Sequence, residues 1–284
     1  MRWLRTAFVY KREGIDTAEI RGRQIAGELG CDLVRLDALT PEVAARYEAL
    51  VYVKVPAEPR VMEEIRRRGV RQFVDALDNY RWRSLRRVAA QTDAYIGANL
   101  THALYLQRIT GRPAVELPHH HCNFAEARIP AGRGPALGFI AGQKQWPMNR
   151  RLVAGLGLPV ISNVVRKGAD AFASLVDAYL AVDVGFAYRM ESNKLRFNTA
   201  NKLTNYMSFG IPSVMTPESG YLEVARHGET CFFAHNREDF LLHLAHLAGD
   251  AELRRRMGEA AFEAARPFHI SRVAELYRAF LGSW

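Results

Sequence analysis

The sequence predicts an α/β fold: two doubly wound domains, each a parallel sheet with helices on both faces, and a helical tail. Three observations carry this. Short β-rich runs alternate with amphipathic segments up to about residue 235. Strand runs such as ALVYVKV (49–55) are apolar without alternation, as strands buried on both faces should be. The alternation breaks once, over PHHHCNFAEARIPAGRGPA (118–136), and then starts afresh.

In order, TAFVY (6–10) reads as a strand and TAEIRGRQIAGELG (17–30) as a helix closed by Gly30. CDLVRL and ALVYVKV are strands, and EPRVMEEIRRRG is a helix with Pro near its start and Gly at its end. RQFVDA, DAYIGAN and PAVELP are strands separated by the helical segments YRWRSLRRVAAQT and LTHALYLQRITG. After the break come LGFIAG, PVISNV, DVGFAY, IPSVMT and TCFFAH as strands. The helices between them are NRRLVAGLG, ADAFASLVDAYLAV, ANKLTNYMSFG and SGYLEVARHG, and three helical segments follow residue 236. The expected organisation is a domain over 1–117, a linker over 118–136, a second domain over 137–265 and a final helix over 266–284. No repeat of 20–50 residues is present.

The 284 residues are 49% hydrophobic and 24% charged, an ordinary globular composition. Apolar runs fall well short of the roughly 18 residues that span a bilayer, and the N-terminus lacks a signal-like apolar region, so a cytoplasmic protein is expected. Three widely spaced cysteines suggest buried free thiols rather than a disulfide framework or zinc site. The net charge of +9 suggests polyanionic partners. RRRGVR, RWRSLRR and RRRM read either as solvated helix faces or as an attraction to an anionic inner-membrane face. A nucleic-acid partner is not expected, because no recognition motif or basic–aromatic stretch accompanies the charge.

Several chemistries are excluded by missing motifs. There is no G-x-G-x-x-G after the first strand and no G-x-x-x-x-G-K-[ST], against an ordinary dinucleotide enzyme or P-loop ATPase. No G-x-S-x-G elbow occurs. No D-x-D pair follows a strand, and DALD (75–78) is wider, so no metal is expected. The HHH run (119–121) lies on an extended segment whose side chains alternate sides, a poor geometry for one ion.

The segments AVDVGFAY, NKLTNYMSFGIPSVMT and SGYLEVARHGETCFFAH, in that order and spacing, resemble the donor-binding domain of GT-B glycosyltransferases, in particular retaining family 4. The tail GDAELRRRMGEAAFEAARPFHISRVAELYRAFL resembles that family's closing helices, the last of which crosses back to the N-terminal domain. The resemblance covers about residues 137–284; over 1–117 it is architectural. It implies two Rossmann-like domains and metal-independent transfer, with retention, from a nucleotide-sugar co-substrate to a glycan or lipid-linked acceptor. No other cofactor is implied.

Open α/β sheets bind ligands beyond the carboxyl ends of their strands, where helix N-termini favour phosphates. The donor-side candidates are therefore Lys144, Lys194, Arg196, Asn198, Lys202, Asn205, Ser219, Gly220, Tyr221 and Glu223. Cations there make charge-assisted bonds to phosphate, roughly twice as strong as neutral ones. The helices starting near Asn201 and Ser219 are both expected to present their N-termini to the site, and the small residues of PESG to admit a diphosphate. Gly210 reads as a helix stop, with Pro212 restarting the chain.

Two positions depart from the family. Asn205 stands where the family's Glu accepts from the ribose hydroxyls; its amide offers one acceptor and one donor group. Phe197, beside Asn198, stands where a second Glu lies near the transferred sugar. These losses admit an alternative: a catalytically inactive protein that binds nucleotide sugars. On the acceptor side, Lys11 and Arg12 follow the first strand, where a phosphate would sit. His102, His119 and His120 are rival candidates for the family's catalytic His.

Overall fold

The structure is a computed structural model and describes residues 4–11, 18–77, 79, 81–127, 135–164, 171–190 and 193–284. It divides into two units. The first comprises residues 1–119, 193–199 and 270–284, and the second 120–192 and 200–269.

In the first unit, β1 (Thr6–Tyr10), β2 (Asp32–Arg35), β3 (Ala49–Val53), β4 (Arg71–Leu77), β5 (Ala94–Gly97) and β6 (Ala114–Glu116) form a parallel sheet in the order β2-β1-β3-β4-β5-β6. Alternate residues feed two cores. Ala7, Val9, Leu50, Tyr52 and Val74 join one, while Phe8, Val51, Phe73 and Ile96 join the other. This is why these strands lack a polar face.

The second core is completed by the closing helix Ile270–Gly282, through Ile270, Val273, Ala274, Tyr277 and Leu281. The final helix therefore returns to the first unit, as the resemblance implies. The segment expected as one helix over 17–30 is, where described, a π-helical stretch (Ala18–Gln24) running into a short α-helix (Ile25–Leu29). That stretch carries the buried Arg21. Its Nε and Nη2 donate to Asp75 at 2.8 and 3.0 Å, and its Nη1 donates to the carbonyls of Leu117 and Pro118. The Tyr277 hydroxyl donates to the same carboxylate at 2.7 Å. Helix, central strand, closing helix and the end of the domain are thus tied through one fully satisfied ion pair.

The second unit holds β7 (Leu137–Ala141), β8 (Val160–Val164), β9 (Val184–Ala187), β10 (Ser213–Met215) and β11 (Phe232–Phe233), parallel in the order β11-β10-β9-β7-β8. Helix Asn201–Ser208 packs closely here. A Cβ at Gly185 would meet the Tyr206 ring at 2.4 Å, so the strand needs Gly at that point. The Tyr206 hydroxyl accepts from Ile140 N and donates to the Gly138 carbonyl. Gly210 ends the helix with φ 70, the left-handed value expected of it.

Cys122 and Cys231 are buried free thiols, and Cys31 is half-buried. Among the described residues, no helix is long and apolar enough to cross a membrane.

Candidate functional site

In the second unit the strand order reverses between β7 and β9, since β8 lies on one side of β7 and β9 on the other. Such a reversal opens a crevice beyond the strand ends. Two loops flank it. The turn Gln143–Gln145 follows β7, and Tyr188 and Arg189 follow β9. Buried Asn149 joins them: its Nδ2 donates to the carbonyls of Gln145 and Tyr188, and its Oδ1 accepts from Tyr188 N at 2.8 Å.

Arg189 is set by this frame. Its backbone N donates to Thr216 Oγ1 at 2.8 Å, just past β10, and its Nε donates to Gln145 Oε1. Its Nη1 lies 3.0 Å from Glu218, whose side chain is 1% exposed. Lys202, in the first turn of helix Asn201–Ser208, feels both groups. Its pKa is pushed down to about 8, first by burial and then by Arg189, against a smaller upward pull from Glu218. Arg189 is thus paired with Glu218, and the half-buried Lys202 lies within electrostatic reach of both. Lys202 stands in the first turn of its helix, where the helix N-terminus favours an anion. Lys202 was expected from sequence; Arg189 and Glu218 were missed. The signal for Arg189 was positional: it is the second residue after the strand at the reversal.

The remaining donor-side candidates differ in setting. Lys144 is exposed in the turn after β7, while its neighbour Gln145 makes the Arg189 contact. Ser219 is half-buried and Glu223 exposed. Gly220 and Tyr221 are buried, and Tyr221 belongs to the hydrophobic core, with burial raising its hydroxyl pKa. The helix over Ser219–Val224 has only six residues, too short to supply the second dipole expected there. Arg196 and Asn198 belong to the first unit, where their carbonyls accept from Asn99 Nδ2. Arg12 and the side chain of Lys194 lie outside the described residues.

Asn205 corrects a specific expectation. Its Oδ1 accepts from Cys122 N at 2.9 Å and its Nδ2 donates to Asn201 Oδ1 at 2.7 Å. The side chain is 4% exposed and pins the 120–123 segment to the helix, so its amide makes scaffold contacts that the sequence reading did not foresee. Asn123 adds a second tie, from its Nδ2 to the Ser208 carbonyl.

The histidines of the 119–121 run are buried. His120 is buried, with Nδ1 3.0 Å from the His121 carbonyl. His121 accepts from Asn123 N, and its pKa is pushed down to about 3 by burial, then by His269 and His120. His119 is buried at the end of the first unit. Among the described residues no group of His, Cys, Asp and Glu is arranged to hold a metal.

In the first unit the order reverses between β1 and β3. There, Lys11 immediately follows β1 and Lys54 follows β3; both line a cavity of about 560 Å³. His102 is fully buried nearby in the chain's first unit. Its Nε2 lies 3.0 Å from the Asn79 carbonyl, and its ring packs on Phe197. It braces the loop after β4, which lines the same cavity, instead of standing exposed as a base.

The sequence model of a family described as glycosyl transferase-like matches residues 130–277, just over half the chain. No curated protein matches the sequence. Among solved structures, Anabaena HepE in complex with UDP superposes with a TM-score of 0.71 at 10% identity, covering 99% of this chain and 100% of that one. A glycosyltransferase from Rickettsia africae gives 0.68 at 10% identity, with 98% of both chains covered. The sucrose-phosphate synthase of Thermosynechococcus elongatus gives 0.65 at 12% identity, covering 99% of this chain and 100% of that one. At these identities the likeness is one of fold.

Proposed function

Because the chain belongs to the glycosyl transferase-like family, we propose that its second unit binds a nucleotide-sugar donor by its diphosphate, at the edge formed by Arg189, Lys202 and Glu218. The observation that carries this reading is the surplus cation. Glu218 holds Arg189 in place but neutralises only one of the two positive groups. A diphosphate would supply the missing negative charge and restore Lys202 toward its ordinary pKa. HepE, of the same fold, binds UDP and UDP-glucose, so a uracil nucleotide is the first donor to try.

In transfer, the bond from the anomeric carbon to the diphosphate oxygen breaks, and negative charge grows on the departing nucleoside diphosphate. Fixed, partly desolvated cations stabilise that charge more in the transition state than in the ground state. The acceptor hydroxyl forms the new bond and its proton passes to the departing diphosphate, which has gained the negative charge. A glycan or lipid-linked acceptor, retention of configuration and independence of metal are parts of this proposal. So is peripheral contact with an anionic membrane, for which Arg83 and Arg86 stacked on the exposed Trp82 are the motivating surface.

One observation favours a second reading. Asn205 replaces a family carboxylate and is consumed by scaffold contacts, which suits a protein that binds nucleotide sugars without transferring them. A thermal-shift panel of UDP-, GDP-, ADP- and dTDP-sugars, followed by a turnover assay for released nucleotide, separates the outcomes. At 100 times its dissociation constant, a bound donor adds about 2.7 kcal/mol of stability. A shift with turnover supports the transferase. A shift without turnover on any acceptor extract supports the binding protein. No shift with any donor would overturn both.

A further inference from the structure

We infer that Asn149 is a positioning residue that fixes how Arg189 meets the diphosphate; this rests on the donor reading above. Asn149 lies in helix Trp146–Val153, just after the turn that follows β7, and is fully buried. Its side chain bridges the loops after β7 and β9, the two strands between which the sheet order reverses.

The amide is fully engaged. Its Nδ2 donates to the carbonyls of Gln145 at 2.9 Å and Tyr188 at 3.0 Å, and its Oδ1 accepts from Tyr188 N at 2.8 Å. Those two residues aim Arg189. Gln145 supplies the Oε1 that accepts from Arg189 Nε at 3.3 Å, and Tyr188 is the preceding link of the chain. The Tyr188 ring is itself anchored edge-on to Phe240, with centroids 5.2 Å apart. One buried side chain therefore sets both the backbone that carries the guanidinium and the backbone that carries its neutral partner. A guanidinium recognises phosphate through the direction of its N–H bonds. A shift of this loop therefore costs more for a ligand with a diphosphate than for the bare nucleoside.

Asn123 provides an internal comparison. It is also buried, and its amide likewise makes two donor bonds and one acceptor bond to backbone: to the carbonyls of Ala127 and Ser208, and from Ala127 N. Ser208 ends the helix whose first turn holds Lys202, so this tie lies at the opposite end of that helix. The two asparagines share their chemistry and differ in place. Truncating Asn123 reports what a lost buried amide does to folding. Truncating Asn149 adds the effect on Arg189.

The test is calorimetric titration of UDP and of uridine into the full chain, Asn149→Ala, Arg189→Gln, the double variant Asn149→Ala/Arg189→Gln, and Asn123→Ala, each below its melting temperature. Asn149→Ala should weaken UDP binding by about ten-fold or more while uridine binding changes by less than about two-fold. In the Arg189→Gln background the same substitution should have no further effect on UDP, because it acts through Arg189. Asn123→Ala should lower the melting temperature and keep the preference for UDP. The inference is overturned if Asn149→Ala retains that preference, if it weakens UDP and uridine alike, or if its effect adds in full to that of Arg189→Gln. Loss of the preference in Asn123→Ala also overturns it, because general loosening would then suffice. Should Asn149→Ala fail to fold, Asn149→Ser is judged by the same criteria. A wild-type chain that binds UDP no more tightly than uridine overturns the donor reading and this inference together. A wild-type preference that survives in Asn149→Ala overturns only the role of Asn149.

Discussion

Each unit contains a buried arginine–carboxylate pair, and the two differ in what they leave over. In the first unit, Arg21 gives all its described hydrogen bonds to Asp75 and to two backbone carbonyls, and Tyr277 donates to Asp75 as well; both charged side chains are fully buried. In the second unit, Arg189 and Glu218 form a similar pair at a strand edge, but Lys202 adds a second cation with its pKa depressed. A closed pair balances charge and ties elements together. On the proposed reading, a pair with a second cation nearby is one that an anionic ligand would complete. We take this difference to separate scaffold from the proposed site, since both carboxylates are buried.

The comparison is broken most strongly at the closed pair. Asp75→Ala would leave Arg21 buried without its partner, and removing one member of such a pair costs about 3–5 kcal/mol. Denaturant unfolding should report that loss. The preference for UDP over uridine should survive wherever the variant remains folded. A lost preference would mean that the two pairs do not divide structure from ligand as described.

A smaller effect is expected at Asn205. Its replacement by Ala removes the acceptor for Cys122 N and the donor to Asn201, leaving buried polar groups unpaired at a cost of about 1–3 kcal/mol. Stability should fall while UDP affinity, measured well below the melting temperature, stays near wild type. A large loss of UDP affinity with little loss of stability would return Asn205 to the ligand.

The smallest change in stability has the opposite sign. The pKa of Lys202 is lower in the folded protein than in the unfolded chain. Between about pH 8 and its ordinary value the unfolded chain therefore holds more protons, and stability rises with pH across that window. Below it both states are protonated and the burial penalty is fully present. Lys202→Met should consequently raise the melting temperature slightly at pH 7 and flatten the rise above pH 8. Because Lys202 is only half-buried in the described surface, the gain is expected to be modest.

The sequence made much of this legible, and the reasons are physical. Uninterrupted apolar runs such as ALVYV and a helix stop such as FGIP are local signals: the strand must suit two cores, and Gly210 must adopt a left-handed turn. The closing helix, too, carries its apolar stripe in its own residues. Lys202 was named as a candidate because it lies at the start of a helix in the matching motif, and it remains a proposed donor contact. Arg189, Glu218 and Asn149 were missed because their meaning depends on which loops the topology brings together, and partners 29 and 39 residues apart leave no periodic trace. Asn205 misled for the complementary reason. Its place in a motif suggested a ligand, whereas its partner, Cys122 N, lies 83 residues away. Tyr221 and His102 likewise stand in motif or cleft positions by sequence yet serve core packing and a loop brace.

The measurement that bears most directly on the surplus-cation account is a calorimetric titration of wild type and Lys202→Met with UDP and with uridine at pH 7. Wild type should bind UDP far more tightly than uridine, because the diphosphate meets the unneutralised charge, and most of that preference should disappear in Lys202→Met while uridine binding is unchanged. Equal affinities for UDP and uridine in wild type, or a preference that Lys202→Met leaves intact, would contradict it.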